Sequence, residues 1–206
     1  MRHSNGYIGR LGAITDAVSC NKVLTRPRPN QAANRIVNTY ESTLVQRYHT
    51  HPRLARFGQT NGQHQCAVAS LILHLHPNPS ISLIKEAISH DSGERYTGDV
   101  SSPAKRLNPV LKDELSRIEA SARFEKTLGV NVLERGEIAW LRMVDMLECY
   151  LFAAHTIPEC LETKNWERLR GEVITAASNL RIQPKTSVLV LMETAKERKG
   201  LEENYG

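Results

Sequence analysis

The chain has 206 residues, of which 40% are hydrophobic and 24% are charged, so a single domain can bury a sizeable core without disulfides or a structural metal. Its formal charge of +5 comes from residues 1–35, which hold six basic residues and one acidic residue, whereas residues 36–206 carry 21 of each sign. A neutral body with a basic N-terminal segment disfavours a general polyanion binder. No apolar run approaches the roughly 20 residues that a membrane-spanning helix needs, which excludes an integral membrane protein.

The cysteines and the first residues bear on the compartment. Cys20, Cys66, Cys149 and Cys160 form no CxxC pair. Their spacing excludes a zinc ribbon or a disulfide scaffold and indicates reduced thiols. The opening MRHSNGYIGR lacks the continuous apolar segment of a secretion signal, so we expect a cytoplasmic protein.

The first half of the chain predicts an extension followed by three helices. Residues 1–35 are basic and rich in Gly and Pro, and they are interpreted as an N-terminal extension. From Ile36 to Val45, apolar side chains recur at three- and four-residue steps, which predicts an amphipathic helix. A largely buried helix is predicted over 64–76, and another over 81–90, separated by Pro77-Asn78-Pro79 with Ser80 as the N-cap of the second.

The second half predicts four more helices after a loop over 96–103. A charged helix over 110–128 is followed by the most apolar pattern of the chain, over 134–156, which we expect to be the central helix. Helices over 164–181 and 186–198 complete the pattern. The VLVLM run at 188–192 could form a strand alone, but no second alternating run exists to pair with it. The fold class is therefore predicted to be all-α, with six or seven helices in a body spanning residues 36–206.

Two of the eight histidines occupy positions that favour a metal site. His90 is followed directly by Asp91 at the end of an apolar helix, where a buried carboxylate beside an imidazole needs a compensating cation. His64 begins the partner helix, and the short connection should make the two helices antiparallel. From His64 to His76 is 12 residues and from Ser80 to His90 is 10. The far ends should therefore lie at the same level, and the three side chains can meet.

Asp145 stands in the middle of the apolar 134–156 segment, where an uncompensated carboxylate would cost several kcal/mol. A salt bridge to Arg142, or an exposed stripe shared with Arg142 and Glu148, would explain Asp145 alone. Together with His64 and the His90-Asp91 pair, it forms a set of two imidazoles and two carboxylates. Such mixed ligands suit a divalent transition ion with positions left for water, as in hydrolytic sites.

The order of these residues on an all-α chain resembles the HD-domain metal-dependent phosphohydrolases. The local sequence resembles the small HD hydrolases of deoxynucleotides, namely the YfbR-type 5′-nucleotidases and the phage dATP triphosphohydrolases. The resemblance covers roughly residues 36–155 and rests on three segments: Arg47-Tyr48-His49, Gly62-Gln63-His64-Gln65, and HDSGERYTGD (90–99) followed by Pro103-Ala104-Lys105. Tyr48 stands where the family usually has Trp, and residues 1–35 have no counterpart.

The resemblance, with the chemistry of the side chains, implies further roles. Glu94, three positions after Asp91, is expected to handle protons, and Lys105 is expected to assist catalysis and to bind phosphate. Arg47 offers a second phosphate contact, of the bidentate kind. Tyr48 can stack on a base or sugar, and Asp99 can accept a hydrogen bond from a sugar hydroxyl or help to hold a second cation.

The expected function is metal-dependent hydrolysis of a deoxynucleotide, with dATP as the implied substrate and a deoxynucleoside and triphosphate as products. The alternative within the family is a 5′-nucleotidase that removes phosphate from a deoxynucleoside monophosphate. A third option is an HD hydrolase whose substrate is another phosphoester, such as a cyclic nucleotide or an alarmone. A non-catalytic helical protein that binds nucleic acid through its basic arm is the alternative from another class. The expected ion is Zn, Co or Mn, with Mg as a further option. We expect a homo-oligomer without a membrane partner, located in the host cytoplasm if the gene belongs to a phage.

Overall fold

The all-α fold is confirmed by a computed structural model, which describes residues 29–126, 131–180 and 184–197. These residues form no β-strand; Gln46 and Thr60 make one isolated antiparallel bridge. Their eight α-helices are α1 (Pro29–Ser42), α2 (Asn61–Leu75), α3 (Ile81–Ala87), α4 (Ser102–Leu107), α5 (Pro109–Lys126), α6 (Arg135–Thr156), α7 (Lys164–Asn179) and α8 (Pro184–Glu197). Three short 3-10 helices, at Ala55–Phe57, Ser92–Arg95 and Pro158–Glu162, lie in the connections.

Helix α6 is the centre of the fold, as its apolar sequence predicted. It packs against α2, α7 and α8, and its side chains form much of the core. Met143, Val144, Leu147 and Ala153 are completely buried. The VLVLM run is confirmed as helix within α8, whose Val188 and Met192 are buried in the same core.

Helices α2 and α3 form the predicted hairpin, but α3 is shorter than its sequence pattern indicated. A capping box between Thr60 and Gln63 fixes the start of α2, and the Ser80 hydroxyl caps α3 by accepting from the backbone N–H of Leu83. The prediction of helix up to residue 90 was wrong, because α3 ends at Ala87 and residues 88–91 form a turn. His90 therefore lies just beyond the helix.

Two further boundaries differ from the sequence-based prediction. Helix α1 begins at Pro29 rather than Ile36, because proline suits the first turn of a helix, where its missing N–H costs nothing. Helix α4 was not predicted from the sequence. Ser101 caps it by accepting from the N–H of Ala104. The apolar side chains of α1 do not enter the core, since Ile36, Val37 and Tyr40 are more than half exposed.

The described residues from Ala33 onward belong to one compact unit, Ala33–Gly206. Residues 1–28 lie outside the described residues, so the basic extension stays a prediction. Among the helices that the structure describes, none has the length and apolarity to cross a membrane. The three described cysteines, Cys66, Cys149 and Cys160, are free thiols.

Candidate metal centre

The four side chains that the sequence singled out as ligands come from three elements and meet beside the core. His64 lies in the first turn of α2 and is completely buried, and His90 and Asp91 lie in the turn after α3. Asp145 comes from the middle of α6. His64 Nε2 is 3.0 Å from Asp145 Oδ1 and 3.6 Å from Asp91 Oδ2. His90 Nε2 is 3.4 Å from Asp91 Oδ2 and 3.9 Å from Asp145 Oδ1.

Both imidazoles present the same nitrogen to this centre. The Nδ1 of His90 donates to the backbone carbonyl of Ala87 at 2.9 Å, and the Nδ1 of His64 lies 2.5 Å from Oε2 of Glu148. Their Nε2 atoms are buried and lack a well-aligned hydrogen bond, although the Asp91 and Asp145 carboxylate oxygens lie 3.0–3.9 Å away. Buried polar atoms in proteins almost always have a partner, so these two unsatisfied nitrogens facing two carboxylates are the features that a cation would complete.

The spacing of the ligand atoms fits one ion. Ligands at about 2.0–2.2 Å from a transition ion lie about 2.8–3.6 Å from their neighbours in octahedral or tetrahedral coordination. The four nitrogen–oxygen distances of 3.0–3.9 Å are close to this range. The His and Asp side chains, of which His64 is completely buried and Asp145 is 40% exposed, could therefore hold a metal ion with small movements of their rotamers.

The electrostatics of the centre match this interpretation. Burial lowers the pKa of His90, but the Asp91 and Asp145 carboxylates outweigh burial and raise the pKa to about 9. Burial raises the pKa of Asp145, but its contacts with His64 and His90 outweigh burial and hold the pKa well below its usual value. The charges of Asp91 and Asp145 thus favour a protonated His90 beside an ionised Asp145. An ion that binds here replaces that proton.

Glu94 lies next to the centre in the 3-10 helix Ser92–Arg95 and is only 7% exposed. Its Oε2 accepts from the side-chain amide of Asn61 at 2.9 Å, and its Oε1 is 3.9 Å from Nζ of Lys105. Burial, followed by the charges of Asp91 and Asp99, raises the pKa of Glu94 to about 8. Glu94 and Lys105, the two residues with predicted catalytic roles, are therefore neighbours.

Arg47 is fixed beside the ligands by its backbone and its side chain. The Arg47 N–H donates to the carbonyl of Gln59 at 2.8 Å, which ties the segment after α1 to the segment before α2. Its guanidinium donates to Asp91 Oδ2 at 3.0 Å and to Cys149 Sγ at 3.3 Å. Arg47 therefore reaches a ligand side chain as well as a thiol of α6.

Tyr48, the other half of the Arg-Tyr pair, adopts a backbone conformation that is uncommon for a residue with a side chain. Its φ is +54°, and such residues are found preferentially at functional sites. The Tyr48 ring stacks on Phe152 at 5.6 Å between centroids, and its backbone N–H donates to Asp99 Oδ2 at 3.1 Å. Tyr48 and Asp99 were both predicted to contact a base or sugar. One face of the Tyr48 ring is instead occupied by Phe152, and Oδ2 of Asp99 accepts from the Tyr48 backbone.

Three residues of the site were not found by sequence reasoning. Glu148 contacts His64, Asn61 contacts Glu94, and Cys149 contacts Arg47. Among the described residues, two overlapping groups of three side chains could hold an ion, and the ligand atoms within each group lie within 4.8 Å of one another. One group is His64, His90 and Asp91, and the other is His64, Asp145 and Cys149. Positions 148 and 149 follow Asp145 by three and four residues, a spacing that places side chains on one helix face and could have identified both.

No protein-family model matches this chain, and comparisons with curated proteins and with solved structures also find no match.

Proposed function

We propose that this protein is a metal-dependent phosphohydrolase of deoxynucleotides, of the HD-domain type, which releases triphosphate from a deoxynucleoside triphosphate such as dATP. The observation that carries the proposal is the convergence of two buried imidazole Nε2 atoms on the carboxylates of Asp91 and Asp145. The neighbouring Glu94–Lys105 pair also supports the proposal, because Glu94 would transfer a proton next to the phosphate that Lys105 would bind.

The donor set favours particular ions. Two imidazole nitrogens and two carboxylate oxygens suit Zn, Co or Mn better than Mg, which prefers oxygen ligands throughout. When bound, a divalent ion supplies a Lewis acid for phosphoryl oxygens and lowers the pKa of a coordinated water from about 15.7 towards about 7. His64, His90, Asp91 and Asp145 would hold it.

The chain's own residues would then bind and orient the substrate. Arg47 is held in place by Asp91 and Cys149, so its guanidinium direction is set before a phosphate arrives. Lys105 of α4 carries a flexible ammonium with 24% of its side chain exposed, which suits a point contact to phosphate. Glu94 lies within reach of Lys105 and can transfer a proton to or from a phosphate oxygen.

Glu94→Gln is expected to lower kcat by about 10²- to 10⁴-fold, because the amide keeps the volume and a hydrogen bond to Asn61 but cannot transfer a proton. KM and metal affinity should change little, because Glu94 is not among the proposed ligands. Steady-state kinetics with metal titration measures all three quantities. A Glu94→Gln enzyme with wild-type kcat would remove Glu94 from the proposed proton transfer.

The proposed function is tested by stripping and restoring the metal in the presence of a substrate panel. We expect a chelator to abolish hydrolysis and one of Co²⁺, Mn²⁺ or Zn²⁺ to restore it, with elemental analysis giving the ion of the purified protein. The panel contains dNTPs, dNMPs and rNTPs, and chromatography identifies the products. Deoxynucleoside and triphosphate from dATP support the proposal. A protein that binds no transition ion and instead binds DNA in a strongly salt-dependent way supports the non-catalytic alternative.

The second candidate is a 5′-deoxynucleotidase, and the placement of the two predicted phosphate contacts favours it. Arg47 is 8% exposed, whereas the side chain of Lys105 is 24% exposed, so Lys105 is the more accessible cation of the two. A single phosphate needs fewer cations than a triphosphate does. Orthophosphate released from dAMP, without deoxynucleoside from dATP, would select this candidate.

A further inference from the structure

Glu148 is a buried carboxylate whose contacts lead to the proposed metal centre. Its exposed fraction is 5%, and it lies three residues after Asp145, on the same side of α6. Oε2 of Glu148 is 2.5 Å from His64 Nδ1, and Oε1 accepts from Nε2 of Gln59 at 2.7 Å. A buried carboxylate is costly unless donors compensate it, and here each oxygen has one.

The contact determines which nitrogen of His64 is available to an ion. With Glu148 at Nδ1, that nitrogen carries the hydrogen and donates, because a lone pair there would face a carboxylate oxygen. The lone pair of the neutral ring then lies on Nε2, which is buried, has no hydrogen-bond partner and points to Asp145 and Asp91. Glu148 therefore fixes both the tautomer and the ring plane of His64.

The segment before α2 holds Glu148 in turn. Gln59 is 5% exposed. Its backbone carbonyl accepts from the Arg47 N–H, and its side-chain amide donates to Glu148. A chain of contacts thus runs from Gln59 through Glu148 to His64. Such carboxylate–histidine pairs raise the basicity of a ligating imidazole and orient it.

We propose that Glu148, supported by Gln59, is a positioning residue that orients His64 Nε2 as a metal ligand and strengthens metal binding. The inference depends on the metal centre of the proposed function, and the ion's affinity is a readout that does not require any particular substrate. Glu148 would thus affect the affinity for the ion and the orientation of the His64 ring, and it would not contact the substrate.

The test compares Glu148→Gln with a matched substitution, Glu86→Gln, in the full chain. Glu86 is similarly buried, at 6% exposed, but its carboxylate accepts from Arg123 and Asn131 rather than from a proposed metal ligand. Co²⁺ affinity is measured by competition with a chelator, and the visible absorption of bound Co²⁺ reports the ligand geometry. We expect Glu148→Gln to weaken Co²⁺ binding by about 10- to 100-fold and to change the Co²⁺ spectrum. Glu86→Gln should change the affinity by less than about twofold.

The outcomes separate this inference from the proposed function. Glu148→Gln with an affinity within about twofold of wild type, and an unchanged spectrum, would overturn the positioning role. If Glu148→Gln does not fold, Gln59→Leu decides: weaker Co²⁺ binding with an altered spectrum supports the role, and unchanged binding overturns it. A wild-type protein that binds Co²⁺ but hydrolyses no nucleotide overturns the proposed function alone, whereas one that binds no Co²⁺ overturns both.

Discussion

His64→Gln is expected to abolish hydrolysis and to lower the affinity for the metal ion by about 100-fold or more, equivalent to roughly 2.7 kcal/mol. His64 is completely buried and its Nε2 is the closest imidazole nitrogen to Asp145, at 3.0 Å. Glutamine cannot place a nitrogen lone pair at that point. The wild-type protein should gain roughly 2.7 kcal/mol of stability at an ion concentration 100 times its Kd, and the variant should lose this gain. Urea unfolding with and without Co²⁺ measures the difference.

Cys149→Ser is the matched control for His64→Gln, because Cys149 belongs to the overlapping group with His64 and Asp145. Burial raises the pKa of the Cys149 thiol to about 12, and its Sγ already accepts from Arg47. We therefore expect Cys149→Ser to retain metal affinity within a small factor. Equal losses in the two variants would show instead that the thiol coordinates the ion and that the set of two imidazoles and two carboxylates is wrong.

The charges around the centre explain why a cation is expected there. Asp91, Asp145 and Glu148 lie within one small region, and Glu94, whose pKa is raised to about 8, is a fourth acidic side chain beside them. Arg47 pairs with Asp91 only, and Lys105 is 3.9 Å from Glu94. The imidazoles balance the remaining charge when they are protonated, and a divalent ion can take over that role.

The sequence predicted the all-α class and the hairpin placement of His64, His90 and Asp91 because both depend on local patterns. The proline-separated helix pair brings His64 and His90 to the same level, with 5.3 Å between their ring centroids. The apolar pattern around Asp145 identified α6 as the central helix. These inferences needed only helix periodicity and the short connection between the two helices, and the two histidines meet although α3 ends three residues earlier than predicted.

The remaining features depend on contacts between distant residues, which single-sequence patterns do not encode. Glu148 looked like part of a polar stripe, yet it is 84 residues from His64 in the chain and contacts it in the core. The end of α3 at Ala87 depends on a turn in which the Nδ1 of His90 donates to the Ala87 carbonyl. The apolar residues of α1 follow a helical period but are exposed, so periodicity alone did not show which face was buried.

Gly93, between Asp91 and Glu94, permits the closest backbone contact near the site. A Cβ at this position would lie 2.5 Å from the carbonyl oxygen of Glu119 and 2.8 Å from its Cα, both backbone atoms of α5. Backbone of a helix cannot move aside as a flexible side chain can. Any side chain at position 93 would therefore force the 3-10 helix Ser92–Arg95 away from α5, and Asp91 and Glu94 would move with it.

Gly93→Ala is expected to lower the free energy of unfolding by about 1–3 kcal/mol, the usual cost of overpacking, and to reduce metal affinity and kcat together. Gly171→Ala is the matched control, because Gly171 lies within α7 and an added Cβ there would meet no atom within 4 Å. That change should raise stability by about 0.5–1 kcal/mol and leave metal affinity unchanged. Urea unfolding and Co²⁺ titration measure both effects. A Gly93→Ala protein that is as stable as wild type would show that the close approach of Gly93 to Glu119 does not position Asp91 and Glu94.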